Sequence, residues 1–114
     1  MPFIKSIQSK ACDISVSASA EKSFSLELFG LKISFNADDK ILQCLDKSAP
    51  LKCENGTVDL RIIFDTLYTE IFADFGTVFM GMTYIADSNL NSLSIESKNA
   101  IIHNISVSEL NSIH

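Results

Sequence analysis

The sequence predicts an all-β protein, a two-sheet antiparallel β-sandwich of the jelly-roll or concanavalin-like kind. Three observations point to it. Apolar and polar residues alternate with a period of two along most of the chain, as half-buried strands require. Turn residues punctuate those stretches at short, regular intervals. A helical period of 3.6 is missing: Pro50 breaks the stretch around Ser48 to Lys52, and Ala86 to Leu93 has room for one helical turn at most.

In chain order, Asp13 to Ala20 alternates cleanly, with Ile14, Val16 and Ala18 on one face. Phe24 to Leu28 repeats the pattern, and Leu31 to Phe35 follows after Gly30. Asn36-Ala37-Asp38-Asp39 has the composition of a turn, and Lys40 to Gln43 that of a short strand. Asp46 to Gly56, which contains Pro50 and Asn55-Gly56, reads as a loop. Val58 to Asp65 is the strongest strand, with Val58, Leu60, Ile62 and Phe64 on one face. Thr69 to Ala73, the turn Asp74-Phe75-Gly76, and a strand over Thr77 to Tyr84 come next. Asp87 to Asn91 is a turn cluster, and Leu93 to Ser97 and Ile101 to Leu110 close the set. Val58, Leu60, Ile62, Phe64 and Ile71 are expected in the core.

The 114 residues suit one domain, residues 1–114. Hydrophobic residues at 46% and charged residues at 20% exclude a disordered tail. The formal net charge is −5 and no Lys/Arg run occurs, so no nucleic-acid partner and no anionic membrane surface are expected. The chain holds no stretch near the roughly 20 apolar residues of a spanning helix. Met1-Pro2-Phe3-Ile4-Lys5 does not open a signal peptide. The compartment stays open: cytoplasmic, or secreted as part of a larger protein.

Catalytic constellations are scarce. The glycines Gly30, Gly56, Gly76 and Gly81 are isolated, so no phosphate loop forms, and neither G-x-S-x-G nor H-E-x-x-H occurs. No catalytic residue, cofactor or metal site is expected. Cys12, Cys44 and Cys53 are odd in number, lack C-x-x-C spacing and stand far from His103 and His114. They read as packed or bystander thiols, with a Cys44–Cys53 bridge across a hairpin as the alternative. His103 reads as an ordinary strand residue. Asn55-Gly56-Thr57 and Asn104-Ile105-Ser106 are glycosylation sequons that matter only on a eukaryotic secretory route.

Asp65 and Glu70 flank Thr66-Leu67-Tyr68-Thr69. With those four residues as a hairpin loop, the two carboxylates face each other across the strands. Such a pair repels by a few tenths to about 1 kcal/mol. Arg61 or solvent relieves it. The pair is either a polar ligand contact or a solvated hairpin end.

The stretch Val58 to Ala73 resembles the C-terminal β-sandwich of glycoside hydrolase family 32, the invertases, levanases and inulinases. That domain carries a pattern of the form L-R-I-x-[VF]-D-x-x-x-x-E-[IV]-F, followed by a turn ending in glycine. Leu60, Arg61, Ile62, Phe64, Asp65, Glu70, Ile71, Phe72 and Gly76 stand in those places. Phe29-Gly30-Leu31, Ile33-Ser34-Phe35 and Asp38-Asp39 resemble the family's upstream glycine, strand and acidic turn, and Ile105 to Ile113 its closing strand. Two features depart from the family. Thr66-Leu67-Tyr68 replaces the usual Arg-Ser-Ser, and His114 stands where a Trp often ends the last strand.

The resemblance implies a sandwich without the enzyme. The family's catalytic carboxylates sit on a five-bladed β-propeller in W-M-N-D-P-N-G, R-D-P and E-C motifs, none of which occurs in this sequence. The implied role is a non-catalytic domain that packs on a catalytic propeller. A fructan-binding module is the alternative, and a generic interaction sandwich a third reading. Binding of a fructan or fructoside would fall to Arg61, Asp65, Tyr68 and Glu70. An apolar docking patch is expected on an outer face, from Phe72, Phe75, Phe79 and Tyr84, with homodimerisation as a natural result of exposing it.

Overall fold

The computed structural model describes residues 3–7, 11–53, 56–65, 68–74, 76–84 and 92–109. They form strands β1 (Phe3–Ser6), β2 (Cys12–Leu28), β3 (Leu31–Asn36), β4 (Ile41–Cys44), β5 (Lys47–Pro50), β6 (Thr57–Phe64), β7 (Tyr68–Ala73), β8 (Val78–Thr83) and β9 (Ser92–Glu109). The strands pair antiparallel into a β-sandwich that does not close into a barrel. The predicted turn at Asp87 to Asn91 lies outside the described residues.

Two long strands organise the architecture. β2 pairs with β9 along nearly its whole length. Its other edge is shared: Cys12 to Ser19 pairs with β6, and Ser23 to Leu28 pairs with β3. The sheet therefore branches at β2, and the branches become the two layers. One layer runs β9-β2-β6-β7-β8; the other runs β1-β9-β2-β3-β4-β5.

Sequence patterning splits β2 and β9 into two strands each, whereas each is continuous. The apparent break at Ala20-Glu21-Lys22 is a register shift in the β2–β9 ladder, and a second shift falls between Ser17 and Ala18. Bulges of this kind bend a strand and raise its twist without ending it. Ile14, Val16 and Ala18 line the core in one layer, and Phe24, Leu26 and Leu28 line it in the other.

A second correction concerns Asp46 to Gly56. Lys47 to Pro50 forms β5, joined to β4 by the two-residue turn Leu45-Asp46. As a polar edge strand ending in proline it carries no apolar alternation to announce it.

The layers meet through aromatic and sulfur contacts. Phe64 at the end of β6 is fully buried and packs on Phe29, ring centroids 5.1 Å apart. Phe29 and Gly30 form the β2–β3 hairpin turn, with φ of 50° and 88°. Two positive φ values belong to a type I′ turn, where Asn-Gly is the usual pair. Phe29 accepts the backbone cost because its ring is buried between the layers. The Tyr84 hydroxyl donates to the Phe29 carbonyl at 2.9 Å. Cys44 Sγ lies 3.3 Å from Met82 Sδ, again across the layers. The predicted core residues Val58, Leu60, Ile62, Phe64 and Ile71 are all buried.

All three cysteines are free, so the Cys44–Cys53 bridge is not formed. Cys12 and Cys44 are buried, and burial pushes each thiol up to about 11.

Candidate functional site

The outer face of β6, β7 and β8 carries every residue singled out as a ligand candidate. Strand parity places them. In β6 the even positions are buried, so Asp59, Arg61 and Ile63 point outward. In β7 the outward set is Tyr68, Glu70 and Phe72, and in β8 it is Phe79, Gly81 and Thr83. Cross-strand pairing arranges them in rows. Asp13, Ile63, Glu70 and Gly81 make one row, and Ser15, Arg61, Phe72 and Phe79 the next.

The hairpin register differs from the sequence expectation. Asp65 pairs with Tyr68, its N–H donating to the Tyr68 carbonyl at 2.8 Å, so the loop is two residues and not four. Glu70 stands opposite Ile63. Asp65 and Glu70 share the outer face but are not directly opposed, which removes the expected head-on repulsion. Arg61 also turns away from this hairpin. Its Nη2 and Nε donate to Asp13 Oδ2 and Oδ1 at 2.7 and 3.1 Å, a two-pronged pair across the β2–β6 boundary. This hydrogen bond holds the Asp13 carboxyl below its ordinary range.

Three aromatic side chains complete the face. Phe79 is 53% exposed and Tyr68 is 45% exposed. Phe72 packs on Phe79 with ring centroids 5.2 Å apart. Gly81 sits between Tyr68 and Phe79. A Cβ there would collide with the Tyr68 hydroxyl and come within 3.1 Å of the Phe79 ring. The glycine thus lets two rings lean over a bare patch of strand, a recognised way of covering a strand glycine. Beside them a shallow depression of about 330 Å³ is lined by Asp59, Arg61, Ile63, Phe72 and Gly76.

The expected apolar patch is therefore partly present. Phe72 and Phe79 form it. Tyr84 does not join them: it shares parity with the buried Met80 and Met82, and its ring faces Phe64 inside the sandwich at 6.3 Å. Phe75 lies outside the described residues. Gly81 is the feature that sequence reasoning passed over. Its signal was a glycine inside an otherwise bulky strand.

His103 lies at the β9 register shift, with its Nε2 2.6 Å from the Ser19 hydroxyl on an exposed surface. Among the described residues no three His, Cys, Asp or Glu side chains gather as a metal site.

Comparison with known proteins bears on the fold. No family model and no curated protein sequence matches this chain. Solved structures do. A fructofuranosidase from Schwanniomyces occidentalis, complexed with fructose, superposes with a TM-score of 0.76 and 16% identity over 98% of this chain and 31% of its own. A sucrose-6-phosphate hydrolase from Lactobacillus gasseri gives 0.74 and 18% over 97% of this chain and 28% of its own. A galectin from Caenorhabditis elegans gives 0.71 and 14% over 96% of this chain and 91% of its own.

This chain has the fold of the C-terminal sandwich of family 32 glycoside hydrolases. It spans between a quarter and a third of the length of those enzymes. The galectin likeness adds that the same sandwich also occurs as nearly a whole chain. At these identities the likeness is one of fold alone.

Proposed function

We propose that this chain is the non-catalytic β-sandwich of a fructoside-processing glycoside hydrolase, and that it seats its Phe72–Phe79 face on a catalytic β-propeller. The observation that carries the reading is the pairing of two facts. Nearly the whole chain matches a part of those enzymes. The outer face of β6–β8 presents an aromatic pair that the sandwich's own core does not need.

A pair of outward rings, Phe79 about half exposed and Phe72 partly buried, flanked by Tyr68, Glu70 and Arg61, has the composition of an interface, with aromatics at the centre and polar groups at the rim. On this reading Asp65 and Glu70 are rim groups, not nucleophile and acid. Arg61, already forked onto Asp13, enters the interface with its geometry fixed.

The test mixes the chain with the separately expressed propeller of a family 32 hydrolase from the same organism. Light scattering should find a one-to-one complex that Phe79→Asp abolishes, while the chain alone leaves sucrose, levan and inulin intact. Turnover by the chain alone, or no complex with a folded propeller, would overturn the proposal.

A second reading is favoured by the closeness of rings and polar groups on this same face. Stacking on Phe79 or Tyr68, with hydrogen bonds donated by Arg61 and accepted by Asp65 and Glu70, suits a fructan end. Saturable heat with levan or inulin that is lost in Asp65→Ala or Glu70→Ala would favour it.

A further inference from the structure

We infer that Cys44, Met82 and Met80 form a site inside the sandwich for one soft monovalent metal ion, Cu(I) or Ag(I). The site lies beneath β8, between the layers. It is separate from the Phe72–Phe79 outer face and does not depend on the docking reading.

Strand parity gathers the sulfurs. In Met80-Gly81-Met82 the glycine turns outward and both methionines turn inward, where each is buried. β4, in the facing layer, sets the buried Cys44 against them. The Cys44 thiol donates to Met82 Sδ at 3.3 Å, across 38 positions of sequence. Thr69 pairs with Met82 in the β7–β8 ladder, lies on the same inner face and is fully buried. Among the described residues its hydroxyl oxygen has no hydrogen-bond partner. A buried hydroxyl left unpaired is costly, and an ordinary apolar core would put valine in its place. A thiol, two thioethers and an unspent hydroxyl at one spot thus mark this part of the interior as different from the rest.

The chemistry selects the ion. Thiolate and thioether donors are soft and favour Cu(I) and its congener Ag(I) over ions that prefer oxygen. Binding replaces the thiol proton: the S–H bond of Cys44 breaks, a metal–sulfur bond forms and the proton leaves to solvent, with no change of oxidation state. A monovalent ion and one thiolate then make a neutral unit, which a dry interior tolerates. A divalent ion would leave a buried net charge, and Zn(II) would also ask for four nitrogen, oxygen or thiolate ligands. Burial holds the free Cys44 thiol up at about 11, so the thiolate forms only with the ion beside it. The Thr69 hydroxyl has a hydrogen bond to spare for that thiolate.

The geometry needs little adjustment. With metal–sulfur bonds of about 2.3 Å, a trigonal ion holds its sulfurs about 4 Å apart. The Cys44–Met82 pair at 3.3 Å must therefore open by about 0.7 Å. Methionine has three rotatable side-chain bonds and yields easily, which also lets Met80 reach in from its place two residues along the strand. Among the described residues β8 pairs with β7 alone, so an ion reaches the cluster beneath one edge strand and not through the sheet.

The test is a titration of the intact chain, its methionine methyls labelled with carbon-13, with Ag(I) in chloride-free buffer. The Met80 and Met82 methyl signals should shift and saturate, and Zn(II) should leave both in place. Cys53→Ala removes the more accessible thiol and should keep the shifts. Cys44→Ala should abolish them. Met82→Leu keeps the apolar volume and should weaken binding, read from the Met80 signal, at least tenfold. Circular dichroism confirms that each variant keeps its strands. Four results would overturn the inference: either methyl signal unmoved by Ag(I) in the intact chain, equal shifts with Zn(II), shifts that survive Cys44→Ala, or shifts that vanish with Cys53→Ala. The propeller plays no part in this experiment, so its outcome is separable from that of the docking test.

Discussion

Replacing Phe64 by alanine removes the ring that joins the two layers. Phe64 is fully buried at the end of β6. It touches Phe29 from the β2–β3 turn at 5.1 Å and Tyr84 beyond β8 at 6.3 Å. Buried Phe-to-Ala changes cost about 3–5 kcal/mol, at the high end where neighbours cannot collapse into the space. Collapse is hindered here on both sides. Phe29 is fixed by a positive-φ turn, and Tyr84 by its hydrogen bond to the Phe29 carbonyl. For a domain of this size such a loss lowers the melting temperature by roughly 12–20 °C. It also removes a large share of a total stability of about 5–15 kcal/mol. Thermal and urea unfolding followed by circular dichroism would read it, with Phe79→Ala as the control. Phe79 is about half exposed, and its loss should cost about 1 kcal/mol or less. A Phe64→Ala protein that melts within a few degrees of the parent would refute the bridging role.

Further predictions follow from the same geometry. Tyr84→Phe deletes the hydroxyl bonded to the Phe29 carbonyl and should destabilise by about 1 kcal/mol in urea unfolding; no measurable change would contradict that bond. Thiol labelling near pH 8 should modify the half-buried Cys53 first and leave Cys12 and Cys44 unreacted until the chain unfolds. Rapid modification of all three in the native protein would contradict their burial. Asp13 has a folded-state pKa below its unfolded value, so its contribution is present above the unfolded pKa and is lost as pH falls through the folded one. Asp13→Asn should therefore lower stability slightly near neutral pH and flatten the acid limb of the stability profile. The effect is under about 1 kcal/mol, because the pair is exposed to solvent.

The alternation of Val58, Leu60, Ile62 and Phe64 made β6 legible in the sequence. The same rule correctly turned Ile14, Val16 and Ala18 inward. It could not show that β2 continues past Ala20, because a bulge breaks the pattern as a strand end does. The 65–70 hairpin was misread for a related reason. Shifting register by two residues keeps every side chain on its face, so the apolar pattern cannot separate a two-residue loop from a four-residue one. Tyr84 is a different case: it lies five positions from Phe79, so strand parity already sets the two on opposite faces. The candidate face was legible as a set of outward residues in β6 and β7.

The docking reading is tested most directly by calorimetric titration of the chain with the separated propeller. The expected result is saturable one-to-one binding that Phe79→Asp abolishes and that Gln43→Ala, on the opposite face, leaves unchanged. A flat titration with both partners folded, or equal binding by the Phe79→Asp variant, would contradict it.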